Sequence, residues 1–285
     1  MNSKQFEAAK KFVDTPSGRI HYAETGKGPV ALFVHGVLVN SFIWRHQLSG
    51  LSDIRRCIAI DTLAHGATEV SDVQDVSSAA QAVMLAQFLD ALGIDKVDLV
   101  GNDGGGAVSQ IFAVNNPHRI RSLTLTDCDA HDNWPPEAFQ GFVDMCAAGG
   151  LRDTLSAMLK DKSVFRGALG PCYENAAAVA DDTIDAYLEP YFANANRVRG
   201  LERFVAAFDC AQTVGIERKL KLIEAPTLIL WATDDVYFDK KWAHWLGERI
   251  SGTRRVVEVE KARLFFFEER APYFNEQVRT HWLSL

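Results

Sequence analysis

The alternation of short apolar runs with longer helical stretches predicts an α/β protein whose mostly parallel central sheet is flanked by helices. Two further observations sharpen this expectation. Near residue 103 a strand-like run passes directly through a glycine-rich turn into a helix, and an Ala-rich stretch from about Pro135 to Gly215 has little strand character. The 285 residues suit one large α/β domain carrying an insertion.

In chain order, strands are expected at residues 19–23, 30–34, 56–60, 97–100, 123–126, 227–231 and 255–259. Several are nearly continuous in Val, Ile and Leu, as strands buried on both faces of a parallel sheet must be. Helical patterns at 77–92, 106–115, 240–249 and 273–283 lie between or after them, implying right-handed crossovers. Four more helices, at 137–148, 151–159, 178–192 and 200–211, are expected in the Ala-rich stretch. The division that follows is a core of residues 1–134 and 216–285, with a helical cap of residues 135–215 over the carboxyl edge of the sheet.

Composition narrows the functions. A hydrophobic share of 47% and a charged share of 24% are ordinary for a folded globular chain. The net charge of −7 argues against a nucleic-acid partner, whose recognition needs a basic face. The five cysteines (Cys57, Cys128, Cys146, Cys172 and Cys210) are scattered without a CxxC pair, so each reads as a small buried hydrophobe. The N-terminal MNSKQFEAAKKF lacks the apolar segment of a signal peptide, and no apolar run reaches membrane-spanning length. The expectation is a cytoplasmic protein with no membrane partner, no metal and no cofactor. It would work on a small molecule as a monomer or homodimer.

Chemistry concentrates at Gly101-Asn102-Asp103-Gly104-Gly105, between the strand at 97–100 and the helix that follows. The pattern small-x-nucleophile-x-small marks a nucleophile elbow, here with aspartate where serine is commoner. Such a turn needs glycines because its central residue is held in strained backbone geometry with neighbouring chains close by. It lifts the Asp103 carboxylate to the edge of the sheet and aims the Gly104 N–H and a helix N-terminus at the same space. A dinucleotide fingerprint would instead sit in the first strand–helix unit.

Together with two other segments, this turn resembles the α/β-hydrolase superfamily, specifically its Asp-nucleophile branch of epoxide hydrolases and haloalkane dehalogenases. The first is Phe33-Val34-His35-Gly36-Val37, similar to the His-Gly oxyanion loop, which would set the Val37 N–H opposite that of Gly104. The second is Asp61-Thr62-Leu63-Ala64-His65-Gly66, similar to the turn after the next strand. The resemblance implies the α/β-hydrolase fold with a helical cap inserted after the sixth strand. In these loops His35 and His65 are expected to brace turns rather than to act as bases. For the acid that orients a catalytic histidine, alignment favours Asp235, with Asp129 a rival after the strand ending at Thr126.

The resemblance fails at one position. Where the family carries its water-activating histidine, the stretch Lys261-Ala262-Arg263-Leu264-Phe265 places Leu264. The substitute base of choice is His131, among Asp129, Asp132 and Trp134, with a hinge or surface histidine as the alternative. Dehalogenases of this branch also follow the nucleophile with tryptophan and the His-Gly with asparagine, where this chain has Gly104 and Val37. Cap tyrosines protonate the opening ring in epoxide hydrolases. Tyr173 and Tyr187 could do so, with Trp134 and Phe265 as further substrate contacts, and Tyr191 is a third cap tyrosine.

The leading expectation is an enzyme whose Asp103 attacks a small, largely apolar epoxide, haloalkane or ester-like substrate. Two alternatives stay open. One is a cofactor-free lyase, isomerase, cyclase or decarboxylase with Asp103 as base. The other is a catalytically silent small-molecule-binding protein, as in plant gibberellin receptors, which resemble hydrolases lacking the histidine.

Overall fold

The computed structural model describes residues 1–285. Eight strands form one sheet in the order β1-β2-β4-β3-β5-β6-β7-β8. They are β1 (Lys10–Thr15), β2 (Gly18–Thr25), β3 (Val30–Val34), β4 (Arg56–Ile60), β5 (Val97–Asp103), β6 (Ile120–Cys128), β7 (Thr227–Ala232) and β8 (Thr253–Val259). The β1–β2 and β2–β4 pairs are antiparallel and all others parallel. Strands β3 and β7 are buried along their whole length and β5 and β6 nearly so, because helices cover both faces there.

The helices of the amino-terminal half are α1 (Ser3–Ala9), α2 (Arg45–Leu51), α3 (Ser78–Ala91) and α4 (Gly104–Asn115). Ser77 caps α3 by accepting the Ala80 N–H. Between β6 and β7 the chain is helical: α5 (Gln140–Ala147), α6 (Leu151–Lys160), α7 (Lys162–Ala168), α8 (Asp181–Leu188), α9 (Ala195–Ala206) and the short α10 (Ala211–Val214). The remaining helices are α11 (Lys241–Arg249), α12 (Phe266–Glu269) and α13 (Ala271–Leu283). No helix is long and apolar enough to cross a membrane.

Strand β1 was not among the expected strands, and its composition explains why. It is an edge strand, Lys-Lys-Phe-Val-Asp-Thr, with no fully buried residue, so it carries none of the apolar run that marks the interior strands. Helix α7 likewise follows α6 after only Asp161, whose carboxylate caps it through the Ser163 N–H. The expected helix at 178–192 ends as an α-helix at Leu188, since Pro190 turns the next residues into a 3-10 segment.

At the base of β5, Asp98 is buried and held by three donors. Arg55 Nε lies 2.7 Å and Arg121 Nη1 2.9 Å from Oδ2, and Ser122 Oγ donates to Oδ1 at 2.8 Å. This cluster fixes the end of the strand opposite Asp103. Asp98→Ala would leave the Arg55 guanidinium buried without its partner and should cost about 3 kcal/mol of stability, read as a lower urea midpoint. An unchanged midpoint would show that the pair contributes nothing.

Candidate active site

Strand β5 and helix α4 meet with no intervening loop, and Asp103 makes the junction at φ 54°, ψ −134°. For a residue with a Cβ this is a strained conformation, held only because the surroundings leave no other. Two glycines permit the close packing. A Cβ on Gly105 would lie 2.4 Å from the His35 carbonyl oxygen, and one on Gly36 would lie 2.1 Å from Asp103 Oδ2. With those side chains absent, the loop after β3 closes on the turn and the Val37 N–H donates to Asp103 Oδ2 at 2.9 Å. The Gly104 N–H, at the start of α4, also favours the charged carboxylate. Burial nevertheless dominates, and pushes the Asp103 carboxyl up to about 6.

The carboxylate opens into a cavity of about 360 Å³ between the carboxyl ends of the strands and helices α5–α7. Fifteen of its twenty lining residues are apolar, among them Phe139, Phe142, Phe208, Phe238 and Phe265. No histidine, lysine or arginine lines it. The second acidic group in its wall is Asp129, just beyond β6. Its Oδ1 is buried without a hydrogen-bond partner, and burial together with the Asp103 charge drives its carboxyl well above the usual range.

The structure therefore brings together Asp103, Asp129, Val37, Gly104 and Phe265. Leu264 lines the cavity, and its carbonyl lies 3.5 Å from Asn102 Nδ2. Asp235 stands behind that wall. Its Oδ1 accepts the N–H groups of Tyr237 (2.7 Å) and Phe238 (3.1 Å), its Oδ2 has no partner, and burial pushes its carboxyl up to about 7.

Four expected contacts are corrected. His131 turns away from the cavity, because its ring is held by Asp132 (3.2 Å) and Glu217 (3.3 Å) against Trp245. Trp134 lies one layer back, packed on Phe208 at 5.4 Å. Tyr173 and Tyr187 both donate to Glu268, at 3.0 and 2.9 Å, in a buried cluster completed by Arg45 at 2.6 Å from the same carboxylate. They face this charge rather than a substrate. The loop histidines brace turns: His35 Nε2 accepts the Thr62 N–H at 3.1 Å, and the His65 ring packs on His35.

Sequence reasoning missed Tyr237, the one tyrosine that lines the cavity, although it stands two residues after Asp235. It also missed Glu268, whose signal is faint: an acid after a phenylalanine run, with its partner Arg45 far away in sequence.

Residues 29–270 match a family described as alpha/beta hydrolase fold. The chain is 28% identical over 271 residues to haloalkane dehalogenase 2 of Mycobacterium tuberculosis, covering 92% of this chain and 90% of that protein. It is 26% identical over 252 residues to epoxide hydrolase 2 of Caenorhabditis elegans, covering 82% and 68%. Among solved structures, the epoxide hydrolase CorEH without ligand superposes with a TM-score of 0.81 at 18% identity, over 96% of this chain and 98% of that one.

The raised Asp103 carboxyl has a consequence for stability. A group whose folded pKa lies above its unfolded value makes the protein lose stability as pH rises from the unfolded value, about 4, to the folded one. Asp103→Asn should therefore stabilise the fold by about 1–2 kcal/mol at pH near 8, with the gain disappearing below about pH 4. Chemical denaturation at both pH values measures this; equal gains at both would contradict it.

Proposed function

The chain belongs to the α/β hydrolase fold family, and within it we propose an enzyme that hydrolyses a small, uncharged epoxide or similarly strained cyclic ether through an Asp103 ester. One observation carries this reading: two carboxyls share a cation-free apolar cavity, and the Val37 N–H favours charge on Asp103 while Asp129 Oδ1 is buried with no donor to support a charge. Near neutral pH that arrangement supplies one carboxylate and one carboxylic acid side by side.

The two groups divide the work. The Asp103 carboxylate, stripped of water, attacks a ring carbon, the carbon–oxygen bond breaks, and the freed oxygen takes the Asp129 proton. An Asp103 ester and an Asp129 carboxylate result. Asp129 then takes a proton from water as the water oxygen adds to the ester carbonyl, and the Val37 and Gly104 N–H groups hold the oxyanion. Collapse expels the alcohol, which leaves with the hydroxyl proton of the intermediate. The Asp103 carboxylate and the Asp129 acid are restored, and the net reaction is epoxide plus water giving diol. Asp129 thus does the work that a histidine would do at Leu264.

A halide substrate fits less well. A departing halide needs N–H donors, and that of Val37 already holds Asp103. An ether oxygen needs a proton, which Asp129 provides.

Asp129→Asn isolates the second step. Given phenethyl bromide, whose leaving group needs no proton, the variant should accumulate an Asp103 ester detectable by intact-protein mass spectrometry, while the parent protein turns it over once Asp129, relieved of the neighbouring Asp103 charge by esterification, has released its proton to solvent. An Asp129→Asn protein that hydrolyses the ester at the parental rate, or an Asp103→Asn protein with full activity, sinks the reading. With styrene oxide, kcat/KM should fall as pH drops through about 6, because Asp103 must be ionised to attack.

The absence of any histidine from the cavity also favours a second reading, in which Asp103 removes a proton from carbon and no water is consumed. Heavy-oxygen water separates the two: hydrolysis places the label in Asp103 and, over several turnovers, in product, whereas a lyase or isomerase incorporates none.

A further inference from the structure

The loop between β7 and α11 is clamped at several points. Asp235 Oδ1 accepts the N–H groups of Tyr237 and Phe238, Asn133 Nδ2 donates to the Tyr237 carbonyl at 3.2 Å, and Trp231 Nε1 donates to that of Phe238 at 2.8 Å. These contacts hold the Tyr237 backbone in place while its side chain lines the cavity with Asp103 and Asp129. The Tyr237 ring meets Phe139 edge-on at 6.1 Å, and its hydroxyl lies against the Cys172 thiol. Sulfur is at best a weak acceptor, so the hydroxyl can turn to a better oxygen at little cost. Burial pushes the Tyr237 hydroxyl well above the ordinary tyrosine range and keeps it protonated.

We propose that Tyr237 is a further catalytic residue, its hydroxyl donating a hydrogen bond to the oxygen that leaves carbon, and that Asp235 is the positioning residue that fixes this tyrosine. The inference rests on the Asp103 ester reading above. It gives Asp235 a task that requires no histidine: its accepting Oδ1, rather than its charge, is what the site uses. Tyr237 neither gains nor loses a proton. It shares the developing negative charge on oxygen while Asp129 transfers the proton, and the hydroxyl turns back against Cys172 when product leaves.

The leaving group distinguishes this role from simple packing. Styrene oxide and phenethyl bromide present the same carbon skeleton, but only the first releases an oxygen that needs a donor. Tyr237→Phe should slow formation of the Asp103 ester from styrene oxide by about 10- to 100-fold, and from phenethyl bromide by no more than about twofold. Asp235→Asn keeps the accepting oxygen and should stay within about threefold of the parent on both reagents. Asp235→Ala should reproduce the selective loss of Tyr237→Phe. Equal effects of Tyr237→Phe on the two reagents, or no effect on either, overturn the proposal. So does an Asp235→Asn protein as impaired as Asp235→Ala, since the charge would then be what matters. If the parent protein forms no Asp103 ester with either reagent, the ester reading itself fails and this inference falls with it.

Discussion

The site depends on how closely two backbones approach at the junction of β5 and α4. A left-handed aspartate is tolerable there only while the loop after β3 presses against it, and that loop can do so only because Gly36 and Gly105 have no side chains. The same contact supplies both N–H groups that the carboxylate meets. Strain, close packing and electrostatic preorganisation are thus one feature seen three ways, and any larger residue at either glycine would disturb all three together.

Two buried acids elsewhere are fully compensated. Asp98 has two guanidinium groups and a hydroxyl, and Glu268 has Arg45 and two tyrosines. Around the cavity the pattern reverses: Asp129 and Asp235 each keep an oxygen with no partner, and neither meets a cation at hydrogen-bond distance. Unsatisfied buried carboxyls cost stability, so their clustering at one place points to chemistry rather than to architecture.

The interior strands, the turn at Asp103 and the loop at Val37 were legible because each rests on a local rule: an apolar run, a glycine pattern, a fixed succession of motifs. Side-chain direction was not. His131 and Asp129 stand two residues apart on one loop, yet one turns to Glu217 and Trp245 and the other to the cavity. Nothing in their order distinguishes them, because the choice depends on partners from α11 and the segment before β7. The tyrosines failed likewise: Tyr173 and Tyr187 are drawn off by Glu268, some eighty to ninety-five residues further along the chain.

The segment from Cys172 to Asn175 is stitched to the stretch from Phe265 to Arg270. The Phe265 N–H donates to the Cys172 carbonyl at 3.0 Å, Glu269 accepts the N–H groups of Glu174 and Asn175, and Arg270 pairs with Glu174. The inserted helices therefore share a seam with the very loop that lacks a histidine. For protein engineering this makes the insertion a poor interchangeable part. Grafting the corresponding helices of a relative onto this scaffold would cut the seam and leave Phe265 unsupported, unless the loop from Leu264 to Arg270 is transplanted with them.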